Sequence, residues 1–508
     1  MQRFAVPEVR PLPQAGWRAI AIGAAAIFVM LVDGTAANTI NAGLPYLQGI
    51  SAATPDEASW ILTAFNAAYF STILFSPWLY ARFARKPLLL FGLVGFAAIS
   101  LLLTMTQPLG WVVVLRFFQG LCLGCLFVPA ATLLFTSLPL RLLPLAPPIF
   151  AVVVLGAGTM GSFIGGYLSE TYGGFAVYVP SALATLIGAV LVYYVAPSMD
   201  KPQRDLRPDV AGLLLVLTFF GALQYLANEG ERRDWFDDGS IVVAAALLLS
   251  AAGAFVVWEL YLTDAPLINL RLLAQKRNLA VGSAMNVILG AVGYSVVIFA
   301  LYLETSAAAT ATLAGAMILL RLATYVPGIV LAFLLVKQRI LGVRAVIAIT
   351  AMASALGFFA FSAKMTATAE AETFITITLL FGLVYSMLNQ PVPAVVLGTL
   401  GLTDIAAGLS LYKLSALVGL SIGTGAVQTL LDHRAAAHGA DLAGFVSAGS
   451  LPVARYLSSG GNVGTLAALV SGQAQTLAFG DVMRAFALCV LLTIPLILLA
   501  DTRAPAPK

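Results

Sequence analysis

The chain has 508 residues, of which 60% are hydrophobic and only 10% charged, and its mean hydropathy is +0.95. A soluble globular domain carries about 25% charged residues, so this composition excludes one and makes lipid the solvent. The net charge of +4 comes with no basic cluster interleaved with aromatics, which excludes a nucleic-acid surface.

Apolar stretches of about 20 residues, enough to cross ~30 Å of hydrocarbon as helices, recur along the whole chain. With Pro, Gly and charge clusters as breaks, about fourteen spans are predicted, near residues 18–44, 57–80, 87–106, 109–135, 147–169, 174–196, 209–228, 239–262, 279–303, 310–336, 344–363, 372–399, 404–431 and 481–500. The run Ala19 to Val32 behind Arg18 continues through Asp33 toward Pro45, so it reads as an uncleaved first span and not a signal peptide. Of the 27 Lys and Arg, 18 fall on one side of these spans, among them Arg3, Arg10, Arg82, Arg85, Lys86, Lys201, Arg204, Arg207, Arg503 and Lys508, against five on the other. Basic residues collect in cytoplasmic loops, so both termini are expected inside. The segment Asp432 to Gly480, rich in Gly, Ala and Ser, is expected to be a long non-helical outer loop.

Several chemistries are excluded on spacing. No Lys is followed by Ser or Thr, so there is no Walker A loop to hold ATP, and the two histidines form no His-Glu-x-x-His pattern. Cys122 and Cys125 have metal-like spacing without evident further ligands and read as packing residues; no metal site is expected. No cofactor and no enzymatic activity are expected.

Spans 4 and 12 echo each other: Phe118-Gln119-Gly120-Leu121 has Pro129 nine residues after its Gly, and Leu380-Phe381-Gly382-Leu383 has Pro391 nine after its own. Spans 5 and 13 do the same with Gly161 and Gly165 against Gly419 and Gly423. This duplication predicts a six-helix bundle over 1–198, a linker and two inserted spans over 199–278, and a second six-helix bundle over 279–508 that carries the outer segment 432–480. Two repeated bundles are the architecture in which one half rocks on the other around a midplane site.

Arg116 stands in an apolar helix, where a charge costs roughly 2.5–3.5 kcal/mol and is normally kept for function. Arginine cannot release its proton in practice, so a carboxylate must carry any coupled proton. Asp33, well inside span 1, is the leading candidate, and helical rise places it near enough to Arg116 for a shared layer or water-linked pair. Glu170 is a second proton candidate and Glu304 a weaker one. Arg321 is balanced between anion contact and structural counter-ion, and Lys413 is expected to snorkel from the start of its helix. A midplane cavity between spans 1, 4, 9 and 12 is expected to present Asn38, Gln119, Tyr385, Asn389 and Gln390 among apolar walls, a mix suited to amphipathic molecules.

These residues resemble a known family. Asp33-Gly34-Thr35-Ala36-Ala37-Asn38 is similar to an Asp-x-Thr-x-x-Asn signature, Arg116-Phe117-Phe118-Gln119-Gly120 to an Arg-x-x-Gln-Gly motif, and Gly161 with Gly165-Gly166 to the antiporter motif of exporters. Asp234-Trp235-Phe236 and Trp258-Glu259 around the inserted spans add to it. Together they resemble the fourteen-span drug:proton antiporters of the major facilitator superfamily, of the EmrB/QacA type, over essentially the whole chain. The resemblance implies an all-α polytopic fold of two six-helix bundles plus two inserted helices. It also implies a bacterial cytoplasmic (inner) membrane location, proton-coupled export of amphipathic compounds, and a possible periplasmic adaptor and outer-membrane channel as partners. Arg82, Arg85 and Lys86, with Gly120 and the antiporter glycines, would be conformational motifs. The alternatives are a dedicated exporter of one metabolite, fatty acid or siderophore, and a transport-dead sensor or scaffold. The sequence departs from the family motif between spans 2 and 3, where Ala81 replaces an acid and Ala84 a glycine, and at Ser162, where the antiporter motif has Pro.

Overall fold

The computed structural model describes residues 16–50, 54–139, 141–197, 209–263, 267–268, 270–307, 309–398, 400–401, 404–446 and 450–501. The linker 199–208, and with it Lys201, Arg204 and Arg207, lies outside the described residues, as do Arg3, Arg10, Arg503 and Lys508. No strand occurs among the described residues.

Among the described residues fourteen helices are long and apolar enough to cross a membrane. They are α1 (Gly16–Ile40), α2 (Glu57–Phe83), α3 (Arg85–Thr104), α4 (Leu109–Ser137), α5 (Leu143–Tyr172), α6 (Gly174–Val195), α7 (Val210–Glu229), α8 (Gly239–Leu262), α9 (Arg277–Thr305), α10 (Ala311–Lys337), α11 (Val343–Lys364), α12 (Ala371–Leu397), α13 (Ile405–Phe445) and α14 (Val463–Leu499). An even number of crossings returns the chain to the face where it started, and Asn278 at the start of α9 pairs there with the backbone of Asp501. That face is called the terminal face and its opposite the far face. Local chemistry sets the helix starts. Thr54 and Glu57 form a reciprocal capping box at the start of α2. Asp209, Asp238, Thr310 and Asn462 accept backbone N–H bonds where α7, α8, α10 and α14 begin.

The two halves repeat the same pairings. In the first, α1 packs on α5, α2 on α4 and α3 on α6; in the second, α9 packs on α13, α10 on α12 and α11 on α14. Glycines set the closest approach. A Cβ at Gly161 would fall 2.5 Å from the Thr35 carbonyl oxygen and one at Gly165 1.9 Å from that of Thr39. One at Gly419 would fall 1.9 Å from the Val287 carbonyl oxygen and one at Gly423 2.7 Å from that of Ala291. Both helix pairs therefore use Gly at i and i+4 against backbone at j and j+4, a small-residue seam of the kind that joins membrane helices.

The halves meet at two seams. Toward the far face α5 lies on α10, with Gly166 against the Ala311 carbonyl and Gly315 against the Phe163 backbone. Toward the terminal face α2 meets α13, where the Ser410 hydroxyl donates to the Ile73 carbonyl at 2.8 Å. The inserted helix α7 lies along α2 and α13, and α8 packs on its outer side.

The expected non-helical loop 432–480 is corrected by the structure. Helix α13 continues to Phe445, a short helix occupies Leu451–Ser458, and α14 begins at Val463. The Ala-rich runs Arg434 to Ala443 and Leu466 to Ala474 are strong helix formers, and that propensity outweighs the glycines that suggested a loop.

Candidate functional site

Asp33 is completely buried near the middle of α1. The Tyr69 hydroxyl from α2 bonds both carboxylate oxygens, at 3.1 and 3.0 Å. The third partner comes from the other half: Lys413 Nζ on α13 stands 3.8 Å from Asp33 Oδ2 and 4.5 Å from the centre of the Phe127 ring. The expectation that Lys413 snorkels is overturned, because its direction around the helix takes it into the seam between the halves.

The expected Asp33–Arg116 pair is not formed either. Arg116 is buried, its Nη1 donates to Gln119 Oε1 at 2.5 Å, and its guanidinium carbon lies 3.8 Å from the centre of the Phe65 ring. Gln119 in turn donates to the Ser100 hydroxyl at 2.7 Å. Phe65 stands one turn from Tyr69 on α2, with the two rings stacked at 5.7 Å, so what joins the two centres is a pair of aromatic rings. The two centres are thus offset by one turn along α2, about 6 Å at the helical rise, and each charge has its own partners.

Arg321 on α10 is the second half's counterpart. It is buried among Phe381, Phe299 and Phe361, with ring centres at 5.2, 5.7 and 5.9 Å. Gly120 packs on the Phe65 carbonyl and Gly382 on the Arg321 backbone, so a buried guanidinium lies against aromatic rings beside a glycine contact at both the 2–4 and the 10–12 pair.

A cavity of 360 Å³ lies between the halves. Its polar lining includes the amides Asn38, Asn66, Gln224 and Asn228 and the phenols Tyr294, Tyr325 and Tyr385. Of the expected cargo residues, Asn38 and Tyr385 are there. Gln119, Asn389 and Gln390 are not among its lining: Gln119 serves Arg116, Asn389 donates to the Tyr385 carbonyl at 2.9 Å, and Gln390 is buried. Sequence reading missed Asn66 and the inserted helix's Gln224 and Asn228. The signal was available, since two amides at i and i+4 in an otherwise apolar helix are expensive unless used.

Glu170 is exposed at the far face, where its Oε2 accepts the Thr312 backbone N–H at 2.8 Å. It clasps α5 to the first turn of α10, which is a structural place for a residue expected to carry a proton. Glu304 is half-buried at the end of α9. At the terminal face Arg85 donates to the Tyr80 hydroxyl at 2.8 Å and to Thr136 Oγ1 at 3.2 Å, and Lys86 to the Tyr193 carbonyl at 2.6 Å. Arg82 is half-buried beside them, and Ala81 is fully buried. Position 81 carries no acid, and the bonds of Arg85 and Lys86 described here go to hydroxyls and a carbonyl of the first half. Around the inserted pair, Trp235 Nε1 donates to Thr429 Oγ1 of α13 at 2.9 Å and Trp258 Nε1 to the Asp209 carboxylate at 2.8 and 3.0 Å.

Two pseudo-symmetric bundles around a shared cavity, with charges buried at their seam, define a polytopic membrane protein of two repeated halves. The sequence profile of the Major Facilitator Superfamily matches residues 26–296, and the chain belongs to that family. It is 26% identical to the multidrug export protein EmrB of Escherichia coli (strain K12) over 260 residues, 51% of this chain and 49% of that protein. The chain thus spans about half the length of that relative. It is 27% identical to the fatty acid resistance protein FarB of Neisseria gonorrhoeae, over 59% of this chain and 58% of FarB. With EmrB of Haemophilus influenzae the match is 25% over 81% of this chain and 80% of that one. The solved structures of the proton:xylose symporter XylE (TM-score 0.57, 13% identity, 94% of this chain and 96% of that one) and of the POT family transporter PepTSo (0.56, 14%, 96% and 100%) share the fold.

Proposed function

We propose that this chain is a proton-coupled antiporter that exports amphipathic compounds by alternating access. One observation carries the reading: the carboxylate of Asp33 in the first half is buried against Lys413 of the second. A proton taken up by Asp33 cancels the attraction across the seam, and loss of that proton restores it, so protonation and the relative position of the halves are linked. Lys413, held by no other carboxylate among the described residues, is the group through which the second half senses the change. One proton crossing 100 mV supplies about 2.3 kcal/mol, enough for a cargo gradient of roughly fifty-fold. The amides and phenols of the cavity orient cargo within apolar walls.

Similarity to a multidrug export protein supports export of amphipathic molecules, and similarity to a fatty acid resistance protein favours a second reading in which the cargo is a fatty acid. A bacterial cytoplasmic membrane location with both termini inside, and a periplasmic adaptor with an outer-membrane channel as partners, belong to the same proposal. The test is Asp33→Asn in proteoliposomes with an imposed pH gradient and a dye panel. Dye binding should persist while gradient-driven transport falls to background; transport at the wild-type rate would refute the coupling role.

A further inference from the structure

A second, larger cavity of 680 Å³ lies on the outside of the molecule, between α2 and α4 on one side and α7 and α8 on the other. It reaches from Trp60 near the far face to Ala67, about 11 Å along α2 at the helical rise, or roughly a third of a ~30 Å hydrocarbon core. Its walls are apolar, and Val114, Val243 and Leu247 are exposed in it. At its outer end Trp60 and Tyr225 stand 5.5 Å apart, and the Tyr225 hydroxyl is 3.0 Å from Ser240 Oγ. Aromatic rings with polar tips at one end and an apolar trough below match the profile of a single amphipath in one leaflet.

Only the contact between α2 and α7 separates this groove from the central cavity, and that contact is a ladder of side-chain hydrogen bonds. Ser59 donates to Glu229, Asn228 Nδ2 to Thr63 Oγ1 at 3.0 Å, and Asn66 Nδ2 to Gln224 Oε1 at 3.2 Å. The middle rung joins a residue that lines the cavity, Asn228, to one that lines the groove, Thr63. Gln224 carries the ladder on to α13 by donating to the Ser421 hydroxyl at 2.5 Å. The two inner rungs join neutral side chains, whose bonds are individually weak between membrane helices and can exchange a partner for a polar group of a ligand, while the outermost ends on Glu229, which is held by Arg233 at 3.4 Å.

We propose that the groove binds one alkyl chain drawn from the leaflet at the far face, and that the α2–α7 ladder is a side door through which the chain passes between the bilayer and the central cavity. The inserted helices are then part of the transport path, with α7 as the door leaf and α8 as the outer wall of the groove. This deepens the export reading, on which it rests, by naming an alkyl-chain amphipath as ligand and giving it a route, and its primary readout is the position of covalent adducts.

The full chain is placed in liposomes containing a phospholipid with a diazirine on one acyl chain, irradiated, and its adducts are located by mass spectrometry. Adducts are expected on groove residues such as Val243 and Val114 and on the cavity residues Leu155 and Val297. In a Cys489→Ser background, the oxidised Thr63→Cys/Asn228→Cys bridge should cut the cavity adducts at least tenfold, leave the groove adducts, and be reversed by reductant. Should the bridge not form, Thr63→Ala/Asn228→Ala removes the middle rung and should raise the cavity adducts several-fold. Absence of groove or cavity adducts in the unmodified chain, or cavity adducts unchanged by both variants, overturns the proposal. Dye export measured on the same liposomes keeps the two readings apart: adducts without export sink the antiporter, and export without adducts sinks the door.

Discussion

Ala84 holds φ 67° and ψ 161° between α2 and α3, a region open to glycine and costly for any residue with a Cβ. The family motif has glycine there, so Ala84→Gly should relieve about 1–3 kcal/mol of strain and raise the unfolding temperature in detergent. An unchanged or lower midpoint would show that the turn accommodates the methyl group. Asp33 and Lys413 lead to the opposite kind of result. Removing one member of a buried ion pair costs about 3–5 kcal/mol because the other charge is stranded. Lys413→Ala should therefore destabilise strongly, while Asp33→Asn with Lys413→Gln should regain most of the stability and no proton coupling. If the double variant is no more stable than Lys413→Ala alone, the pair does not tie the halves together. Asp33 was legible in the sequence as a lone acid inside a span. Its partner was not, because 3.6 residues per turn leave the facing direction of an isolated charge undetermined until the neighbouring helices are placed.

Between elements, the glycine seams give the sharpest expectation. A methyl at Gly165 or Gly419 would lie 1.9 Å from a carbonyl oxygen of the partner helix, and neither backbone can yield without separating the pair. Gly165→Ala and Gly419→Ala should each abolish or severely reduce folded protein, to a similar degree in both halves. Gly158→Ala on the same helix meets only Asn38 Nδ2 at 3.8 Å and should be tolerated. Size-exclusion yield and thermal unfolding of the three variants decide it; a tolerated Gly165→Ala would mean that α1 and α5 can part. Most of this level was readable beforehand, since hydropathy marks spans and Gly at i and i+4 marks a seam. The segment 432–480 was not, because its Ala content and its Gly content argue for opposite structures, and only the packing of α13 along α14 decides between them. The amides of α7 went unread for another reason: the duplication set that helix aside as an insertion, although Gln224 and Asn228 lie in the cavity wall.

At the scale of the whole molecule the two seams lie at opposite ends, with Glu170 on the Thr312 backbone toward the far face and the Ser410–Ile73 bond toward the terminal face, and the Asp33–Lys413 pair lies between them at mid-depth. Beyond the far face, α13 and α14 run on as a helical hairpin; the 41 residues of α13 reach about 60 Å at the helical rise, twice a ~30 Å hydrocarbon core. Its base is pinned by Asp481, which meets Arg434 at 3.0 Å, His438 at 2.9 Å and Arg484 at 3.1 Å. Replacing residues 442–464 with a short turn leaves that cluster and every residue of the cavity in place. Transport in proteoliposomes should therefore stay within about twofold of the full chain. If the hairpin is where an adaptor docks, the same variant should lose resistance in cells that export across two membranes. Loss in both assays would place the hairpin in the transport cycle, and loss in neither would remove it from adaptor binding.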